Sequence, residues 1–173
     1  MKNFVALLLC IVAVACTPAL DWREVRNEDA GYRALFPGKA VMASREFVLA
    51  GETVTLKLHA TTAGSAYFAV GEIPLNSEQQ AKAGEIVKAL KASLVNNVGA
   101  SGTEEKIVSA AGTVWQEVRA TGQMKNGAPS VFAGRFLVQP GRIIEVVAMG
   151  EKALLTDDAI DMWLGSVTLE QRP

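Results

Sequence analysis

Short stretches in which apolar and polar residues alternate, separated by turns that contain glycine, recur along most of the chain. In 53–61 the even positions are apolar and the odd positions are threonine, lysine or histidine. Such alternation is typical of a strand with one face in a core and the other in solvent, paired with antiparallel neighbours. The same signals predict further strands at 22–25, 31–36, 41–50, 66–73, 104–109, 113–122, 129–138 and 142–149.

Turn residues and composition indicate where some of these strands lie in the sheet. Asn126-Gly127 and Pro140-Gly141 each place a glycine where a tight hairpin needs one. The segment 143–149 is apolar on both faces except at Glu145, and a strand of this kind is covered on both sides. We therefore expect it to be a central strand. The charged run Glu104-Glu105-Lys106 indicates a solvated loop or edge strand.

Two segments have the three- and four-residue spacing of apolar positions that is typical of amphipathic helices. The first begins at Ser77, which with Gln80 has the form of a capping box, and it ends near Gly99. Its apolar stripe is expected to face the core and consists of Ile86, Val87, Leu90, Leu94, Val95 and Val98. The second helix is short, is capped by Thr156 and ends at 163 or 164.

The order of these elements predicts an α+β domain that spans 22–173. We expect an antiparallel β-sheet of about 7–9 strands with one long and one short helix packed on it. With 17 Lys and Arg against 18 Asp and Glu, and half of its residues apolar, the chain is too charged for a multispan membrane protein and too apolar for a disordered one. Its net charge of −1 gives no field that would attract nucleic acid.

Residues 1–15 have the charge pattern of a signal peptide. After Lys2 and Asn3 come twelve residues, Phe4 to Ala15, without a polar side chain. As a helix this run would be about 18 Å long, well short of the roughly 30 Å of a bilayer core. We therefore expect residues 1–15 to be removed on export, and Cys10 with them.

The expected cleavage point is followed directly by Cys16. Ala13-Val14-Ala15 satisfies the small-x-small rule of ordinary secretory cleavage. Residues 9–16 also resemble the lipobox of bacterial lipoproteins, in which the cysteine after the cut is diacylated and becomes the new N-terminus. We predict lipidation of Cys16, because no other cysteine follows it, and plain secretion is the alternative. The body of the protein then contains no disulfide.

Residues 16–21 would form a short tether between the lipid and the domain. The residues from 17 to 21 span at most roughly 17 Å when extended, so the domain would lie against the membrane and its partners would be close to the membrane. By resemblance to enterobacterial sorting rules, Thr17 in place of aspartate implies the outer membrane, with the domain in the periplasm.

Candidate catalytic and ligand-binding residues are few. His59, the single histidine, lies on the polar side of 53–61, and we expect it to be a solvated strand residue. The phosphate-binding, nucleophile-elbow, CxxC and zinc-protease motifs are absent. Asp157, Asp158 and Asp161 have the spacing of a weak cation site or an acid pair, but helix capping explains them more simply. We therefore predict no enzyme activity, no catalytic residue, no cofactor and no metal site.

Three segments resemble a known family. They are Trp22-x-x-Val25, the run Tyr32-Arg33-Ala34-Leu35-Phe36-Pro37-Gly38-Lys39, and Trp163-Leu164-Gly165-Ser166-Val167 near the end. Together with the long central helix, they look like a family of uncharacterised proteobacterial exported lipoproteins, whose element order resembles the PsbP-like α/β/α sandwich. The resemblance implies this fold for nearly all of the chain after the signal peptide. It also implies an accessory or assembly role without catalysis.

Two hypotheses of function follow. The first is a membrane-anchored periplasmic lipoprotein that acts as a non-catalytic accessory module of the cell envelope. It would bind another envelope protein through an exposed sheet edge or through a sheet face that no helix covers. The alternative is a carrier of a small apolar ligand, held between the long helix and the sheet. The carrier hypothesis predicts an apolar cavity beneath Ile86, Leu90 and Leu94.

Overall fold

The computed structural model describes residues 20–170, in which the chain forms ten strands and three helices. The strands are β1 (Arg23–Asn27), β2 (Tyr32–Phe36), β3 (Val41–Leu49), β4 (Glu52–Ala63), β5 (Ala66–Pro74), β6 (Ala100–Ala110), β7 (Thr113–Gln123), β8 (Pro129–Gln139), β9 (Arg142–Glu151) and β10 (Thr168–Leu169). The helices are α1 (Ser77–Ala81), α2 (Ala83–Asn97) and α3 (Asp157–Ser166). Among the described residues, no helix is long and apolar enough to cross a membrane.

Seven strands form one antiparallel sheet in the order β3-β4-β5-β9-β8-β7-β6. β9 is the fourth of the seven, which confirms the central position predicted for 143–149. Its side chains are buried on both faces because other elements cover both sides of the sheet there. The outer strands are β3 and β6, and the charged run 104–106 on β6 is exposed, as predicted for an edge.

A smaller sheet of three strands, in the order β1-β2-β10, is separate from the large sheet. Its buried residues Tyr32 and Phe36 share a core with Phe68 of the large sheet. The large sheet has seven strands, as expected for a sheet of about 7–9, but the first two predicted strands lie in this second sheet. They pair instead with the two-residue strand β10, in which Thr168 lies opposite Arg33.

The large sheet has a separate core on each face. On one face α2 packs on the sheet through Ile86, Val87 and Leu90, which confirms that the predicted apolar stripe faces the core. On the other face α3 and the small sheet enclose Trp115 and Trp163, which are almost completely buried. The domain therefore has three layers, with the large sheet in the middle.

The predicted long helix differs from the observed helices in two respects. Its cap is Asn76, whose Oδ1 accepts a hydrogen bond from the backbone N–H of Gln79 at 2.8 Å, and the Gln79 side chain accepts one from the Asn76 backbone at 3.1 Å. The capping box predicted at Ser77 and Gln80 is therefore wrong by one residue, because asparagine and serine both cap helices well. The helix is also interrupted at Lys82, which separates α1 from α2.

Side-chain hydrogen bonds connect helix α3 to the large sheet. Thr156 caps its start, as predicted, and Trp163 donates from Nε1 to the carbonyl oxygen of Val147 at 3.0 Å. Arg135 donates from Nη1 to the carbonyl oxygen of Leu164 at 2.8 Å. These bonds satisfy polar groups in a buried layer, so they fix the position of α3 as well as its ends.

Candidate functional site

A groove of about 650 Å³ lies between the large sheet and the turn that joins β1 to β2. Its floor is formed by β3, β4 and β5, and the turn forms one wall. We call it the His59 groove, and its lining residues are Asn27, Asp29, Ala30, Tyr32, Met42, Ala43, Ser44, Lys57, Leu58, His59, Val70, Glu72 and Pro74. The volume and the mixture of apolar and polar groups are typical of a binding site.

His59 is held at one of its ring nitrogens. Its Nδ1 lies 2.5 Å from the Tyr32 hydroxyl and 3.3 Å from Nδ2 of Asn27. The Asn27 Oδ1 accepts a hydrogen bond from the backbone N–H of Ala30 at 3.0 Å, so the amide nitrogen is the atom that faces the ring. The Asn27 amide nitrogen only donates and the Tyr32 hydroxyl can donate, so we assign Nδ1 as the acceptor and place the proton of the neutral ring on Nε2.

The ionisation of this pair favours ligand binding over acid–base chemistry. Burial lowers the pKa of His59. Burial raises the pKa of Tyr32 to about 12, with a smaller contribution from the charge of Glu72 and an opposing one from the Asn27 hydrogen bond. Both side chains are therefore neutral at pH 7. The Nε2–H group of His59 is a donor, and this arrangement suits binding of an acceptor better than removal of a proton.

The charges around the groove are only partly compensated within residues 20–170. Glu72 Oε2 lies 3.7 Å from Nη1 of Arg142, and the same nitrogen donates to the carbonyl oxygen of Ala30 at 2.7 Å. This arginine therefore ties the turn to the sheet. Lys57 is exposed on the floor and takes part in none of the ion pairs of the described residues. The floor of the groove thus offers an ammonium group beside the imidazole N–H.

The outer strand β3 borders the groove and is open to solvent on both faces. Every residue from 41 to 48 is exposed, and the exposed fractions of Met42, Val48 and Val41 are 77%, 72% and 59%. We call residues 41–48 the β3 edge. One side of its backbone pairs with β4, and no strand of the described chain pairs with the other side. Unpaired backbone groups beside exposed apolar side chains are typical of an edge that another strand joins.

The residues singled out from the sequence fall in different places. Cys16 and the predicted signal peptide lie outside the described residues. The expectation that His59 is solvated is wrong, because Asn27 and Tyr32, which flank the β1–β2 turn, contact the ring and it is half-buried. Asp161 accepts a hydrogen bond from Nη2 of Arg119 at 2.6 Å. Among residues 20–170, no three His, Cys, Asp or Glu side chains are placed to hold a metal ion.

The sequence indicates the β3 edge but not the contact between Tyr32 and His59. The contact between Tyr32 and His59 joins residues 27 positions apart, and no local pattern indicates it. The β3 edge does carry a signal, because 41–48 lacks the strict alternation of a strand with one buried face. That signal predicts a strand that neither core covers.

The pocket predicted between the long helix and the sheet is a different place from the His59 groove. Ile86 and Leu90 are buried in the core beneath α2. The His59 groove lies on the opposite face, where Tyr32 and Val70 belong to the other core. An apolar carrier site beneath α2 therefore stays a prediction.

Comparison with known proteins does not indicate a function. No family model matches the sequence, and no curated protein is significantly similar to it.

Proposed function

We propose that the protein is a non-catalytic interaction module of the cell envelope, which binds another envelope protein by adding a strand of that protein to the β3 edge. The proposal is carried by the exposure of residues 41–48 on both faces beside an unpaired strand edge. In this mode of recognition, main-chain hydrogen bonds supply affinity and alternate side chains supply specificity. With nine residues, β3 is long enough for both.

A comparison of the two outer strands supports the choice of β3. Strand β6 presents two glutamates and a lysine in succession, and Glu105 pairs with Lys91 at 2.7 Å. Consecutive charges of this kind discourage pairing with another strand. Strand β3 carries one charge of each sign, at Arg45 and Glu46, and is apolar towards both ends. Since proteins that act alone protect their long edge strands, the apolar β3 edge favours a partner.

The proposal includes the membrane anchor. Cys16 would carry the lipid, and the domain would face the periplasm at the outer membrane. The side chain of Leu20 already packs against the core of the domain. The residues between Cys16 and Leu20 reach at most roughly 14 Å, which would keep the β3 edge close to the bilayer and to membrane proteins.

The absence of catalysis in this proposal is supported by the chemistry of the groove. The Nδ1 atom of His59 is occupied by the Tyr32 hydroxyl, and the chain has no cysteine after Cys16 to act as a nucleophile. The accessory role implied by the PsbP-like resemblance belongs to the same proposal. A large antiparallel sheet between two outer layers agrees with that resemblance at the level of architecture.

Photo-crosslinking in intact cells tests the proposal. A benzophenone amino acid replaces either Val48 on the β3 edge or Ile107 on β6, which are 72% and 67% exposed. We expect the probe at position 48 to capture one defined envelope protein, with the crosslink mapped to an extended segment of it. The matched probe at position 107 should capture none. Equal capture at both positions, or none at position 48, would contradict the proposal.

A further inference from the structure

We infer that the partner strand carries a carboxylate side chain that lies over the His59 groove, between Ser44 and Lys57. This inference rests on the proposed function, since it presumes a strand on the β3 edge. It adds the chemistry by which that edge selects its partner.

A row of side chains crosses the sheet at Ser44. Ser44 lies opposite Lys57, and Lys57 lies opposite Glu72, so all three project from the same face. Neighbouring strands are about 4.8 Å apart, so a strand added to β3 places its residue opposite Ser44 about 10 Å from the Lys57 backbone. A glutamate and a lysine side chain together span this distance. Because Ser44 is small, the added carboxylate meets its hydroxyl and the lysine ammonium.

The charges of the groove favour a carboxylate at this point. Lys57 has no ion-pair partner within residues 20–170, whereas Glu72 is already paired with Arg142. The Nε2–H of His59 is a second donor on the same floor. Asp29 lines the groove on the turn, so repulsion keeps an added carboxylate on the β3 side.

The other residues of the β3 edge define the remaining positions of the partner. Met42 and Val48 project from the same face as Ser44 and favour apolar residues opposite them. Glu46 favours a basic residue, and Arg45 on the other face favours a second acidic residue. The partner is therefore an extended segment with apolar residues towards its ends and one basic and two acidic residues at its centre.

A second copy of this chain fits the β3 edge poorly. In a symmetric antiparallel pair each face of the sheet continues across the two-fold axis, so even positions pair with even and odd with odd. The register that pairs all of Val41–Leu49 is centred on Arg45 and places Arg45 opposite itself. The two registers one step away each pair seven of the nine residues. The one centred on Glu46 places two carboxylates together, and the one centred on Ser44 places no like charges opposite each other. Because like charges directly opposite each other are destabilising, a second copy pairs poorly along the whole strand, so we assign the edge to a different chain and make a dimer an outcome of the test.

Fluorescein-labelled peptides test the inference on the mature full-length chain in detergent. The probe is a peptide of nine residues with valine and isoleucine near its ends and Lys-Glu-Glu at its centre. When it pairs antiparallel to β3, as β4 does on the other side, its second glutamate faces Ser44. The matched control peptide has glutamine at that position. We expect the glutamate peptide to bind about three- to fivefold more tightly by fluorescence polarisation at low salt, since a partly exposed ion pair contributes this much.

A charge reversal separates this contact from general electrostatics. Lys57→Glu should reverse the preference, so that a peptide with lysine facing Ser44 binds more tightly than the glutamate peptide. Lys88→Glu makes the same change of net charge at an exposed residue of α2 and should leave the preference unaltered. Lys57 is also exposed, so neither substitution disturbs a core.

Equal binding of the glutamate and glutamine peptides, or an unaltered preference in Lys57→Glu, would overturn the inference. In that case a second variant, Val48→Lys, places a charge on the β3 edge. If it abolished peptide binding, the strand site on β3 would remain, without a preference for an acidic partner. Failure of the crosslinking experiment would instead remove the proposed function itself. A dimer that sedimentation equilibrium detects and Val48→Lys abolishes would also overturn the inference, because a second copy would then occupy the edge.

Discussion

Glu145 makes the stability of this protein depend on pH in a direction that is unusual for a carboxyl group. It is 3% exposed and lies on β9 between Ile143 and Val147, whose side chains belong to the core beneath α2. Its Oε2 has no hydrogen-bond partner within the described residues. A Cβ atom at Gly71 would lie 2.9 Å from its Cγ, so the surroundings are closely packed. Burial raises the pKa of Glu145 to about 7.

The size and sign of the effect follow from this pKa. The usual value is 4.5, and the folded value is about 7, so the carboxyl is protonated in both states below pH 4.5 and ionised in both well above pH 7. Between these limits the unfolded chain loses its proton first. Stability is therefore lost as the pH rises from about 4.5 through 7, by about 3 kcal/mol in total.

Glu145→Gln removes the titration while keeping the shape of the side chain. We expect the free energy of unfolding of the wild type to fall by about 2–3 kcal/mol more than that of this variant between pH 5 and pH 8. Urea unfolding followed by tryptophan fluorescence reports it, since Trp115 and Trp163 are buried. Glu151→Gln, at the end of the same strand, is the matched control and should keep the wild-type slope. An unchanged pH dependence in Glu145→Gln would show that Glu145 does not cause it.

Three further predictions concern the core, the backbone and the anchor. Glu117→Gln should cost about 2 kcal/mol at pH 7 by urea unfolding, because the carboxylate accepts hydrogen bonds from Arg119 and Arg135 at 3.0 and 2.9 Å. Burial raises the pKa of Glu117, but these hydrogen bonds outweigh burial and hold the pKa below 4.5. The stabilisation by Glu117 should therefore disappear as the pH falls through that lowered pKa. Gly150→Ala should lower the thermal midpoint far more than Gly112→Ala, because a Cβ at 150 would lie 2.4 Å from a backbone oxygen whereas the one at 112 meets nothing within 4 Å. Radiolabelled palmitate should enter the wild-type chain and not Cys16→Ser, and an unlabelled wild type would contradict the anchor.

The parts of the fold that the sequence predicts correctly depend on local patterns. The central position of β9 follows from a run that is apolar on both faces, and the core face of α2 follows from the spacing of its apolar residues. The cap of α1 is displaced by one residue because Asn76 and Ser77 are both good caps. Local patterns therefore identify elements well and fix their ends less precisely.

The parts that the sequence does not predict depend on contacts between distant residues. The small sheet needs Thr168 to pair with Arg33, and a two-residue strand has no periodicity to reveal it. The cover over His59 comes from Tyr32 and Asn27, and their approach depends on how the small sheet lies on the large one. The sequence therefore predicts a strand with one polar face that carries His59. It does not predict that other elements form a groove over that face.

Amide hydrogen exchange along β3 reports whether another strand occupies this edge in the envelope. The chain is labelled with deuterium in envelope vesicles and, in parallel, after purification in detergent, and peptides from β3 and β6 are compared by mass spectrometry. The β3 edge has unpaired backbone groups in the isolated chain, so we predict slower exchange of 41–48 in the envelope and no change in β6. Identical exchange of 41–48 in both preparations would show that no strand pairs with the β3 edge in the envelope.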